Sequence, residues 1–196
     1  MSTVAIVRKN GLVALAADTL WKDGSTMQRA SRLVHASKIL QVGPSLVGFT
    51  GSSAWGDVLR RYFSKLDPLP PLDSSAAIFE AVLALHPVLK REYGMNPEDG
   101  DDDQFQSSRF SLLVASPGGA FAVYGDRSVA EFSTFWAFGS GFRYALGAMH
   151  AAYPVLDRAE DIARIGVEAA AEFDEDTGLP AEVRTVALQP APQENA

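Results

Sequence analysis

A hydroxyl stands almost at the head of this chain, where Ser2 follows Met1. A serine hydroxyl is a weak nucleophile until a base takes its proton, and a serine that becomes the first residue carries such a base in its own α-amine. An α-amine titrates near ~7.7 to 8.0 against ~10.4 for a lysine, so close to neutral pH much of it is already free base. Met1 blocks that amine until it is removed, and serine is small enough for ordinary methionine removal. Other groups suited to hydrolysis are spread along the chain: Asp18, Lys38, Ser140, Asp174 and Thr177, with Thr3 as a competing hydroxyl. Taken singly, these have structural readings as well. Ser2 is an ordinary second residue, Asp18 a turn former at a strand end, Lys38 a solvated charge and Ser140 a helix cap.

Several chemistries are excluded. There are no cysteines, hence no thiolate nucleophile, disulfide framework or zinc-finger spacing, and the composition fits a reducing compartment. His35, His86 and His150 are scattered without metalloprotease spacing, so neither a metal nor another cofactor is expected. A formal net charge of -7 offers nothing to a phosphate backbone, and nucleic acid is not an expected partner. With no signal peptide and no run of membrane-spanning length, the expected location is the cytoplasm and no membrane is involved.

The elements that must position these residues can be read from the pattern. At 196 residues and 47% hydrophobic, the chain is expected to form one domain over 1–196, with 189–196 a flexible Pro/Gln tail. Thr3 to Val7 and Gly11 to Ala17 flank Asn10-Gly11, a type I′ hairpin signal, and Lys38 to Val42 with Leu46 to Phe49 make a second pair. Four strands therefore open the chain. Trp55, Val58, Leu59, Tyr62, Phe63 and Leu66 recur at helical spacing, and Pro68, Pro70 and Pro71 end that helix. Asp73 or Ser74 caps the next one, which buries Ile78, Val82, Leu85 and Leu89 and is kinked at Pro87. Asn96 to Ser108 is acidic but lacks the alternating ligands of a calcium loop, and is expected to be a solvated loop. Phe110 to Ser116 and Ala120 to Tyr124 form a hairpin, Phe132 to Phe138 one further strand, then helices to Tyr153 and over Ala159 to Phe173, and a last strand Glu182 to Leu188. This order predicts an α+β fold, a four-layer αββα sandwich.

On that frame the polar residues form a recognisable series. Val7-Arg8-Lys9-Asn10-Gly11 followed by Ala16-Ala17-Asp18 is similar to the first hairpin of proteasome β-subunits and their bacterial relative HslV, which are N-terminal nucleophile hydrolases. Lys38-Ile39-Leu40-Gln41-Val42-Gly43-Pro44 resembles the strand pair that starts with the family's lysine, and Gly48-Phe49-Thr50-Gly51-Ser52-Ser53 its glycine loop. Phe138-Gly139-Ser140-Gly141 and Asp174-Glu175-Asp176-Thr177-Gly178 resemble its two late site loops. The resemblance covers about residues 2 to 188, and its mixture of features suggests the bacterial proteasome homologue, BPH.

The resemblance implies an active site of Ser2, Asp18, Lys38, Gly51, Ser140, Asp174 and Thr177, with serine where the family usually has threonine. Asp18 would hold Lys38 as a cation that favours the neutral amine and ionised hydroxyl. The Gly51 N–H would face the oxyanion, while Ser140, Asp174 and Thr177 would orient the amine. Trp21, Ala36 and Phe49 are candidate walls of the pocket for the residue before the scissile bond. Implied partners are polypeptide substrates, further copies of the chain in stacked rings, and a separate AAA+ unfoldase. The apolar excess on the helix carrying Trp55, Tyr62 and Phe63 is expected to serve such ring contacts. An inactive ring subunit and a small-molecule amidase of the same fold are the alternative functions. Two departures stand out: the stretch between Asp18 and Lys38 is longer than the family's spacing, and Ala54-Trp55 stands where the family often has Ala-Asp.

Overall fold

The structure is a computed structural model that describes residues 2–94 and 110–189. The acidic stretch around Asn96 to Ser108 and the tail from 190 lie outside the described residues. β1 (Thr3–Lys9) and β2 (Leu12–Ala17) pair antiparallel with Val4 opposite Ala17, and the turn residues Asn10 and Gly11 both have positive φ, 49° and 76°, as a type I′ turn requires. A short hairpin of β3 (Trp21–Asp23) and β4 (Thr26–Gln28) follows, then β5 (Ile39–Val42) and β6 (Ser45–Phe49). Six strands thus precede the first helix where four were expected. The extra pair has only three residues a side and no buried face, so it shows no alternation to read.

Helices α1 (Ala54–Ser64) and α2 (Ser75–Tyr93) come next, and the Ser74 hydroxyl accepts the Ala77 N–H as N-cap. α2 runs through Pro87 without interruption. Trp55 and Tyr62 are buried within this chain, with the Trp55 ring 4.4 Å from that of Phe110, and Phe63 is half-buried against the same core. They supply no argument for assembly.

β7 (Leu112–Ser116), β8 (Gly119–Val123) and β9 (Val129–Phe132) complete a five-stranded antiparallel sheet in the order β5-β6-β7-β8-β9. β10 (Phe135–Gly139) then crosses to the other sheet, so the single strand expected over Phe132 to Phe138 is two strands in different sheets. Phe132 and Trp136, stacked at 4.9 Å, bracket the crossing. After α3 (Phe142–Ala152) and α4 (Ala159–Phe173), β11 (Glu182–Ala187) closes a four-stranded sheet ordered β10-β1-β2-β11.

The two-residue period of the strands divides the core into three layers. Val4, Ile6, Val13 and Leu15 meet Leu46 and Leu113 between the sheets. On the other face Ala5, Val7, Ala14 and Ala16 meet Ala145, Met149, Ile162 and Val167 of α3 and α4. The outer face of the five-stranded sheet carries Phe49, Val114 and Phe121 against Leu59, Ile78 and Leu85 of α1 and α2. Each fully buried large aliphatic side chain contributes roughly 1.5–3 kcal/mol. The result is the αββα sandwich read from the pattern. It places the start of β1, the end of β2, the turn after β10 and the loop after α4 at one end of the four-stranded sheet.

Candidate active site

Asp18, the residue after β2, is the electrostatic centre of this end. Its side chain is fully buried and all its acceptor capacity is used: Oδ1 accepts from Lys38 Nζ at 2.8 Å and the Thr3 N–H at 3.0 Å, and Oδ2 accepts from the Leu20 N–H at 3.1 Å and the Gly178 N–H at 3.2 Å. Lys38, one residue before β5 and nearly as buried, donates also to the Leu20 carbonyl at 2.6 Å. Burial pushes the Asp18 carboxyl up and the Lys38 ammonium down, each toward its neutral form. Their mutual attraction and hydrogen bond oppose that, aided for Asp18 by the Thr3 and Gly178 amides.

A second network lies under α3 and α4. Asp174 Oδ2 accepts from Ser140 Oγ at 2.6 Å and from Thr177 Oγ1 at 2.5 Å. Since the single Thr177 proton goes to Asp174, the 2.7 Å contact between Thr3 and Thr177 hydroxyls has Thr3 as donor. The Ser140 proton is likewise committed, which leaves its lone pairs open to a donor. The Ser140 N–H donates to the Ser2 carbonyl at 3.0 Å and so ties this network to the head of the chain. Thr3 is fully buried, its hydroxyl bonded and its N–H on Asp18, an arrangement that speaks against it as the competing nucleophile.

Ser2 borders a small cavity of about 50 Å³ lined also by Leu20, Trp21, Lys22, Lys38, Phe49, Gly51, Ser52 and Ser53. Gly51 has φ 114°, a conformation that strains any other L-residue, and no described residue accepts its N–H. Trp21 and Phe49 are in the cavity wall. Ala36 is not: it stands behind Trp21, with its carbonyl accepting the Trp21 indole N–H at 3.1 Å. A larger hollow of about 440 Å³ beside β5 and α1 contains none of these groups. Another, of about 530 Å³, reaches Asp174 and Thr177 from the side of Met27 and Phe173. Among the described residues no group of three or more His, Asp or Glu side chains could hold a metal ion. None of the described helices is long and apolar enough to cross a membrane.

Four contributors carry no role in the sequence pattern. The Leu20 backbone serves both members of the ion pair and has no side-chain signal. Gly139, at φ 108°, passes directly under Ser2. Lys22, in the cavity wall, and Asp176 form a half-buried ion pair at 2.5 Å; Lys22 falls outside the family motifs, and Asp176 lies within one without a role there.

The solved structure of Thiobacillus denitrificans BPH in complex with epoxomicin is 46% identical to this chain, with a TM-score of 0.90, over 96% of this chain and 100% of that one. This chain belongs to the bacterial proteasome homologue family. A second structure of Thiobacillus denitrificans BPH is 47% identical with the same TM-score and coverage. HslV from Trypanosoma brucei matches at 22% identity and TM-score 0.69 over 94% of this chain and 99% of that one, a likeness in fold. No protein-family model matches. Membership of the BPH family makes the chain a proteasome-family peptidase subunit with the N-terminal nucleophile hydrolase fold.

Proposed function

We propose that this chain, once Met1 is removed, hydrolyses peptide bonds with Ser2 as N-terminal nucleophile inside a chamber of stacked rings. The observation that carries the reading is the buried Lys38–Asp18 pair, 2.8 Å apart, whose lysine lines the same cavity as Ser2. Desolvating two charges costs several kcal/mol per ion, and a buried pair often stabilises a fold no better than apolar residues of the same volume. A scaffold has no use for it here, while a site that must keep a positive charge beside a hydroxyl does. The inactive ring subunit is therefore the weaker reading.

In the reaction the α-amine takes the Ser2 Oγ proton as Oγ attacks the scissile carbonyl carbon. Negative charge gathers on the carbonyl oxygen, toward which the Gly51 N–H donates, a contribution of about 3 kcal/mol in comparable sites. The protonated amine, held by Ser140 and Asp174, then hands its proton to the leaving nitrogen as the C–N bond breaks and an ester on Ser2 remains. Water, deprotonated by the same amine, cleaves the ester and restores Oγ–H. Lys38 keeps the local potential positive throughout, so both neutral amine and anionic oxygen are favoured. The cytoplasm, polypeptide substrates, a ring of identical copies and an AAA+ unfoldase complete the proposal.

Epoxomicin, bound in the BPH structure, supplies the test. Its epoxyketone warhead closes a morpholine ring that needs both hydroxyl and α-amine on one residue. Met1-free protein should gain the inhibitor's mass on the peptide that starts at Ser2, and Met1-retaining protein should not. Equal labelling of both forms would remove the α-amine from the mechanism.

A further inference from the structure

Beside the groups already used lies one charged pair that the mechanism leaves idle. Lys22, on β3, lines the Ser2 cavity together with Trp21. Its Nζ donates to Asp176 Oδ1 at 2.5 Å and lies 3.5 Å from the Glu175 carbonyl. Both side chains are less than one-fifth exposed, which is far from a freely solvated surface pair. Asp176 in turn belongs to the loop whose neighbours Asp174 and Thr177 hold Ser140 and Thr3. The pair thus joins the cavity wall to the loop that supports the head of the chain.

We infer that Lys22, in the wall of the Ser2 cavity, and Asp176, bonded to it, are a positioning pair that sets the proton affinity of the Ser2 α-amine through their opposed charges. The inference rests on Ser2 becoming the first residue. Four segments carry titratable groups around that point: Asp18 just after β2, Lys38 just before β5, Lys22 on β3, and Asp174, Glu175 and Asp176 in the loop after α4. Lys38, bonded to Asp18, is the cation that the mechanism already uses. Of the remainder, Lys22 is the cation, and its partner's charge reaches beyond the pair: Asp176 favours the ammonium form of Lys38, and Lys22 with Lys38 holds the Asp176 carboxyl below its usual range.

A charge-tuning role and a merely structural clasp predict different signs. Lys22→Met leaves the Asp176 carboxylate unbalanced and stabilises a protonated amine, so the amine's pKa rises. Asp176→Asn leaves the Lys22 ammonium unbalanced and the pKa falls. Each shift should be about half a pH unit, given partial screening by water. With both substitutions together the pKa should return close to the wild-type value. A clasp that only holds geometry would make the double variant at least as perturbed as either single one.

The amine is titrated directly, by competitive trace acetylation of Met1-free protein with acetic anhydride and mass spectrometry of the N-terminal peptide. The acid limb of the peptidase pH profile is recorded in parallel and should move with it. Opposed single shifts that cancel in the double variant support the inference. Shifts of one sign, no shift in either single variant, or a double variant as displaced as the singles would overturn it. Ser2→Ala that keeps its peptidase activity would sink the nucleophile reading instead and leave the amine titrations standing.

Discussion

Gly139 runs so close beneath Ser2 that a β-carbon at position 139 would stand 1.7 Å from the Ser2 carbonyl oxygen. That contact comes from antiparallel pairing of β1 with β10, in which Thr3 lies opposite Gly139, and it positions the Ser140 N–H to hold the Ser2 carbonyl. Gly139→Ala must therefore push the head of the chain away and also occupy φ 108° with a side chain. We expect a loss of at least about 2 kcal/mol in stability and near-complete loss of epoxyketone labelling. Urea denaturation and intact-mass labelling on the same preparation check both. Wild-type labelling in the variant would mean that this approach does not position Ser2.

Thr3→Val and Ser2→Ala separate the two neighbouring hydroxyls. Valine keeps the volume of Thr3 in a fully buried site and removes only its donation to Thr177, which still has Asp174 as its own acceptor. The cost should be about 1 kcal/mol of stability, with peptide hydrolysis retained. Ser2→Ala should abolish hydrolysis and leave stability almost unchanged, since a serine side chain buries little apolar surface. Hydrolysis that survives Ser2→Ala but not Thr3→Val, with N-termini verified by mass, would move the nucleophile to Thr3.

Ser2→Thr restores the family's usual residue. The added methyl narrows χ1 and the adjoining cavity of about 50 Å³ has room for it, so peptide turnover should be kept or raised. The comparison is kcat on one fluorogenic peptide at matched extents of Met1 removal. A tenfold fall would show that the methyl meets the wall instead.

How much of this was readable in the chain depended on whether a side chain announced its role. The β1–β2 hairpin was legible because Asn10-Gly11 tolerates positive φ at both turn positions, and α4 because Ile162, Val167 and Ala170 keep the helical period. β9 and β10 were fused because aromatic residues continue across the bend at Ser133 and Thr134 and hide the change of sheet. At the site, the motifs around Asp18 and Lys38 imply their pairing in spite of the longer stretch between them, yet the Leu20 carbonyl that shares the ammonium has no sequence signature. What Ala36 supplies in the fold is equally silent in sequence, a backbone carbonyl that accepts the Trp21 indole N–H. Lys22 and Asp176 are separated by 154 positions, and only the folded chain brings them together.

Lys38→Met tests the ion pair through its pH dependence. The substitution leaves the Asp18 carboxylate buried with three backbone N–H donors and no counter-charge, so at neutral pH we expect a loss of about 3–5 kcal/mol and no hydrolysis. Burial already pushes the Asp18 carboxyl above its ordinary value, and removing Lys38 takes away the main influence that pulls it down. In the variant, then, folded Asp18 binds a proton at a pH where the unfolded chain's aspartate is still ionised. Wherever the folded state holds the extra proton, stability rises as pH falls. The deficit of Lys38→Met relative to wild type should accordingly be largest at neutral pH and shrink on acidification through the raised Asp18 value, by about 1.4 kcal/mol for each pH unit in that window. Urea melts of both proteins at matched pH values measure it. A deficit that stays constant or grows toward acid would mean that Asp18 is already protonated in the wild type, and the cation at Lys38 would then have no buried anion to hold it.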